Sequence, residues 1–392
     1  MCPFTRHPST PHPEIEGSHA LAPPNSTLLS SEAFRHNTLY RGFIEPLSGF
    51  TITEITGHKA GKWLLMLGKL FIRLNSHSLR VLISLGSSFQ SVTDALVPIA
   101  SDNRLSTTAA SYKRFAKSKG IIPRTSSWGE RGQGCWVGSP DALSILVWFH
   151  GGNYYSPAHP AYFHFLHGVV DAVCQTGKQF AVFVPSYTLA PHAQYPSQLQ
   201  EGLETLRYLI EIEGKSASNI VLGGDSAGGN LVLAILSHLS HPHPDIAGDL
   251  TLKTNLGGAV MICPWVTFDQ TWTSVERNKK KDSVALIPSS ISAKHFLGDK
   301  PPDNYNEPLR APLEWWFEVK ACQLLLISGD DDIMVDSHRA FATNLSMANP
   351  HNTQIIFAAD EGHVAPVLDL MLGDRSEFES TKAMKKWLLW LI

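Results

Sequence analysis

Ile220-Val221-Leu222-Gly223-Gly224-Asp225-Ser226-Ala227-Gly228-Gly229-Asn230 runs directly into the apolar stretch Leu231-Val232-Leu233-Ala234-Ile235-Leu236-Ser237-His238-Leu239. A β-branched run, Gly-x-Ser-x-Gly and an apolar segment of helical length describe a buried strand that turns sharply into a helix. Such a turn forces Ser226 into a strained backbone conformation and presents its hydroxyl, and only glycine at 224 and 228 lets neighbouring backbone pass so close. The helix start behind Ser226 favours negative charge developing there. Outward from this turn, short apolar runs at 143–149, 180–184, 220–222, 259–263, 324–328 and 354–357 alternate with helical segments. That alternation predicts an α/β fold with a mostly parallel sheet flanked by helices.

Three of these strands lead into loops that carry chemistry. Ser144–Phe149 leads into His150-Gly151-Gly152-Asn153, where the N–H groups of Gly151 and Gly152 join that of Ala227 as candidate donors to an oxyanion. The aromatic loop that follows makes Asn153, Tyr154 and Tyr155 candidates for lining a substrate pocket. Gly329-Asp330-Asp331-Asp332-Ile333-Met334-Val335-Asp336 comes after one late strand, and Asp360-Glu361-Gly362-His363-Val364 after the last. In this architecture a serine nucleophile is followed in the chain by its acid and then its base, so His363 is the predicted base. Asp330, after Gly329, is placed to cap the turn, and Asp336 to cap the helix it begins.

The set HGGN at 150–153, Ser186-Tyr187-Thr188-Leu189-Ala190-Pro191, GDSAGGN at 224–230, Asp332 with Asp336 and the late Gly362-His363-Val364 resembles the hormone-sensitive-lipase-like family of α/β-hydrolases. The resemblance covers about residues 130–390. It implies an α/β-hydrolase fold with a helical cap and an ester or related acyl hydrolase that needs no cofactor or metal. It also implies Ser226 as nucleophile, Asp332 as acid and His363 as base. Asn153 stands where the family has a third glycine, and Tyr187–His192 lacks the family's arginine and glutamate. The Ser237–Pro244 tract and the Gly152–Pro157 loop further resemble fungal hydrolases encoded with secondary-metabolite pathways. Two other readings keep the fold: an enzyme that redirects the carbonyl intermediate into transfer or condensation, and a non-catalytic small-molecule binder.

With 32 Lys and Arg against 35 Asp and Glu among 392 residues, the net charge of −3 supplies no basic field for nucleic acid. Five scattered cysteines without a CxxC suggest neither a disulfide framework nor a zinc knuckle, and fit a reducing, cytoplasmic setting. Residues 1–38, rich in Pro, His and Ser, read as a disordered tail. Residues 39–118 read as an N-terminal helical cap, and 119–392 as the hydrolase domain, with a further cap insertion at about 266–312. Within the cap, Lys62, Lys69 and Arg73 form one basic stripe on an apolar helix, read as packed over a core rather than lying on a membrane surface. His238, His241 and His243, interleaved with prolines, read as a solvated loop rather than a metal site.

Overall fold

A computed structural model describes residues 107–248, 250–282 and 289–392. The tail and the basic-striped helix therefore lie outside the described residues. The sheet has eight strands: β1 (Arg124–Trp128), β2 (Gly132–Val137), β3 (Ser144–Phe149), β4 (Phe180–Pro185), β5 (Ile220–Asp225), β6 (Gly258–Ile262), β7 (Leu324–Gly329) and β8 (Thr353–Ala358). They lie in the order β1-β2-β4-β3-β5-β6-β7-β8, antiparallel at the β1 and β2 edge and parallel from β4 through β8. Six strands match the apolar runs. The two antiparallel ones, Arg-Thr-Ser-Ser-Trp and Gly-Gln-Gly-Cys-Trp-Val, lie outside the runs read as strands, the first with a single apolar residue and the second with only Cys135-Trp136-Val137.

Every residue of β3, β4, β5, β6 and β7 is buried, because helices cover both faces of the sheet. The helices are α1 (Thr108–Lys119), α2 (Pro160–Cys174), α3 (Ser197–Arg207), α4 (Ala227–Ser240), α5 (Thr273–Asn278), α6 (Ser289–Leu297), α7 (Val335–Ala348), α8 (Ala365–Met371) and α9 (Glu379–Leu391). Alternate residues of β3 serve opposite cores. Ile145, Val147 and Phe149 pack with Leu231 and Ile235 of α4, and Leu146 and Trp148 pack with Phe163 and Leu166 of α2.

α1 falls in the stretch read as cap and packs on α2 and β2. Tyr112 and Phe115 are buried against Phe163, and the Tyr112 hydroxyl donates to the Trp136 carbonyl of β2. α9 buries Trp387 but leaves Trp390 half exposed, so only the first of the two tryptophans expected on its packed side is there. The histidines read as a solvated loop are built into the packing: His243 accepts from or donates to Tyr195 Oη at 2.7 Å, its N–H reaches His238 Nδ1, and His241 stacks on Trp315. Cys135, Cys174 and Cys263 are free thiols.

The turn between β5 and α4 depends on its glycines. A Cβ on Gly228 would fall inside the van der Waals radius of the Phe149 carbonyl oxygen, and one on Gly224 would strike the backbone of Gly228. Backbone cannot move aside as a flexible side chain can. Gly228→Ala is expected to cost at least about 3 kcal/mol or to prevent folding. Soluble yield and urea unfolding check this, with Gly168→Ala, where a Cβ meets nothing within 4 Å, as the tolerated counterpart.

Candidate active site

Ser226, at φ 50° and ψ −119°, occupies the strained turn at the end of β5. Its N–H donates to the Ile262 carbonyl, and its own carbonyl accepts from Trp265 and from Asn230. These bonds to two elements hold a conformation that an isolated serine would leave. Asp332 follows β7 and His363 follows β8, so two neighbouring parallel strands deliver acid and base to the same sheet edge. His363 Nδ1 lies 2.9 Å from Asp332 Oδ2, and Nε2 lies 3.0 Å from Ser226 Oγ. With Nδ1–H donating to the carboxylate, Nε2 is left to accept the serine proton. All three side chains are buried.

Burial alone would depress the His363 pKa, but the adjacent Asp332 carboxylate outweighs it and raises the value well above the ordinary one. Burial would likewise raise Asp332, but the charge of His363 and the hydrogen bonds from His363 and Met334 together lower it. The other oxygen of Asp332 accepts from the Met334 N–H at 2.7 Å.

The other carboxylates of that loop face elsewhere. Asp330 pairs with Arg339, and Asp331 with Lys281 at 2.8 Å. Asp336, expected to cap its own helix, instead receives Arg277 at 2.6 and 3.1 Å and the Ser274 N–H of α5. A helix-capping role is corrected to a tertiary ion pair.

The glycine loop after β3 departs from the sequence reading. Gly151 N–H, a candidate oxyanion donor, is already engaged by Asp225 Oδ1 at 3.1 Å and Tyr162 Oη at 3.2 Å. Asp225 is buried and needs donors, and Trp148 Nε1 and the Tyr162 hydroxyl supply others. The chain then turns through Gly152 at φ 108° and Asn153 at φ 54°. Among the described residues no partner engages the N–H of Gly152, Asn153 or Ala227, the last at the first position of α4.

Tyr154 is not a lining residue of an open pocket. It is buried, stacks on Phe296 at 3.9 Å and donates its hydroxyl to Asn230 Oδ1, while Tyr155 is exposed. Tyr187 explains the Ser186–Pro191 motif: it stacks on His150 and donates to the His150 carbonyl at 2.6 Å, bracing the glycine loop. Thr188, where the family has arginine, bonds Glu201 through both its N–H and its hydroxyl, so a neutral residue replaces the missing salt bridge.

Residues 146–366, more than half the chain, match the family described as alpha/beta hydrolase fold. The chain belongs to the alpha/beta hydrolase family. The chain is 25% identical over 250 residues to steryl acetyl hydrolase 1 of Saccharomyces cerevisiae, covering 59% of the chain and 56% of that protein. It is 28% identical over 127 residues to a gibberellin receptor of Arabidopsis thaliana, covering 30% of the chain and 35% of the receptor. It thus spans about half or less of the length of these curated relatives. Its fold is similar to a bacterial esterase of the hormone-sensitive lipase family, with TM-score 0.54, 23% identity and coverage of 73% of this chain and 92% of that one.

Cys263, just after β6, was not singled out by sequence. Its Sγ accepts from the Val364 N–H at 3.4 Å and lies within 4.8 Å of ligand atoms of Asp332 and His363. Burial and the Asp332 charge push its thiol up to about 11, keeping it protonated. Both ring nitrogens of His363 already serve Asp332 and Ser226, so the trio is hydrogen-bonding machinery rather than a ligand set.

A raised His363 pKa moves protonation to the inactive imidazolium toward higher pH. Ester turnover, kcat/KM, is therefore expected to rise with pH, its acid limb lying above the ordinary histidine value of about 6.5. A pH–rate profile at constant ionic strength checks the sign. Asp332→Asn is expected to lower kcat by about 10⁴ without unfolding, as loss of the useful tautomer does in other triads. Asp331→Asn, which breaks the pair with Lys281, is expected to cost far less in the same assay.

Proposed function

We propose that this protein is a serine esterase that cleaves carboxylic esters of small molecules through an acyl-enzyme. The observation that carries the reading is the hydrogen-bonded series Asp332–His363–Ser226, with Gly152, Asn153 and Ala227 N–H groups turned loose beside it. Ser226 Oγ attacks the ester carbonyl while His363 Nε2 takes its proton, and Asp332 stabilises the imidazolium that forms. The tetrahedral oxyanion receives N–H donors from Gly152, Asn153 and Ala227, and Gly151 acts behind them as the anchor to Asp225. His363 then gives its proton to the leaving alcohol, and water repeats the sequence to release the acid.

We take the substrate to be an acetyl or similarly short ester of a bulky apolar alcohol. Similarity to the yeast steryl acetyl hydrolase supports this class, as does the apolar material of the insertion, in which Trp272 and Phe268 are half-buried. A secondary-metabolite ester fits the same description. Similarity to a plant hormone receptor favours a second reading, a binder on the same fold. A binder, however, has no use for a nucleophile, base and acid in hydrogen-bond register.

Ser226→Ala is expected to abolish fluorophosphonate labelling and to lower acetyl-ester turnover by about 10⁶, with melting temperature little changed. Comparable labelling and turnover by the variant would remove the esterase reading. Binding of the apolar alcohol without any turnover by the unmodified protein would favour the receptor reading.

A further inference from the structure

The insertion between β6 and β7 does more than lie across the surface. Asp282, 1% exposed, accepts the Ile333 N–H through Oδ2 at 2.9 Å and the His363 N–H through Oδ1 at 3.2 Å. One carboxylate thus holds the residue after the triad acid and the triad base itself. Its own N–H is fixed to the Asn278 carbonyl at the end of α5. Asn278, also 1% exposed, donates its amide to the carbonyls of Asp330 and Asp332 at 2.9 and 2.8 Å. Ser274, fully buried, donates to the Ile333 carbonyl at 2.7 Å, and Arg277 holds Asp336. Polar contacts from the nine-residue stretch Ser274–Asp282 therefore converge on the acid loop, and Asp282 reaches the base loop too.

We infer that Asp282 is a positioning residue that sets the separation of Asp332 and His363 and so the aim of Nε2 at Ser226. The inference rests on the esterase reading for its functional meaning. Neither catalytic loop is regular structure where its functional side chain emerges, so their spacing is not set by the sheet ladder. β7 and β8 pair only as far as Gly329 and Ala358. Beyond that point Asp330 and Asp331 reach Ala358 and Glu361 through backbone bonds, and Asp282 closes the far end, next to the imidazole.

Chemistry explains why aspartate fits. Two convergent N–H donors need two acceptor oxygens on one rigid group, and a carboxylate offers both. Asparagine keeps the size but turns an NH₂ toward one of the two donors, breaking that bond. It also removes a buried negative charge near His363. Among the described residues the other groups facing His363 are Asp332, Ser226, Cys263 just after β6, Asp225 of β5 and His338 of α7.

The test compares the unmodified full chain with Asp282→Asn, using kcat and KM for p-nitrophenyl acetate and the imidazole NMR titration of His363, assigned with His363→Gln. Asp282→Asn is expected to lower kcat by between about ten- and a hundred-fold with KM changed little. The His363 titration is expected to move to lower pH by at least about half a unit, because a neighbouring negative charge is lost. A general structural defect would shift melting temperature without moving that titration. A folded variant with unchanged kcat and an unmoved titration overturns the inference. If Asp282→Asn does not fold, Asn278→Ala decides: it is expected to lower kcat several-fold by freeing the acid loop alone, and unchanged kcat overturns the inference. An unmodified protein that is inert toward esters speaks against the esterase reading instead, and the NMR comparison still tests the positioning role.

Discussion

Ser226 is held at φ 50° by the closeness of two backbones, the Gly228 turn lying against the Phe149 carbonyl. That contact exists because β3 and β5 are parallel neighbours, in register from Ile145 with Ile220 to Phe149 with Gly224. The same adjacency brings the glycine loop after β3 alongside the serine after β5. Asp225, immediately before the serine, binds the first glycine of that loop, so the strained turn and the donor loop are one unit. β7 and β8 then deliver Asp332 and His363 to the same edge. Each functional side chain leaves the sheet at a strand's C-terminal end, where loops can vary without disturbing the ladder.

Two buried aspartates at this edge are driven in opposite directions. Burial dominates Asp225 and pushes it up to about 6, even though Tyr162, Gly151 and Trp148 donate to it. Asp332 is buried as deeply, yet the charge of His363 prevails and lowers it. Asp225 therefore meets neutral donors and serves as a structural tie, whereas Asp332 meets an ionisable ring and governs its tautomer and charge. Nearby His338, pushed down to about 4 by burial, stays neutral and donates or accepts at Ser328 rather than competing for the proton.

The parallel strands were legible because burial on both faces demands continuous apolar runs, and the elbow was legible because only glycine fits where backbones touch. The chain order of Ser226, Asp332 and His363 followed from the order of the strands. Polar loops were less legible. That Gly151 would be engaged by Asp225 depends on a pairing across 74 residues, which no local pattern encodes. Tyr154 reads as an aromatic loop residue until α6 is packed beside it, and Asp282 carries no local pattern that ties it to the acid loop until α5 folds onto that loop. The antiparallel strands β1 and β2 were less legible for a different reason. Gly134 lies under the Phe183 ring, so the tight fit there selects small residues over a recognisable apolar alternation.

The central claim is that one hydroxyl, Ser226 Oγ, is activated by its surroundings to attack an acyl or phosphoryl centre. Reaction of the protein with diethyl p-nitrophenyl phosphate, followed by intact-mass measurement and peptide mapping, tests it most directly. The account predicts a single diethylphosphoryl group per chain, located on the peptide containing Ser226 and formed faster as pH rises through the His363 titration. No adduct, or an adduct distributed over other hydroxyls while Ser226 stays unmodified, would contradict it.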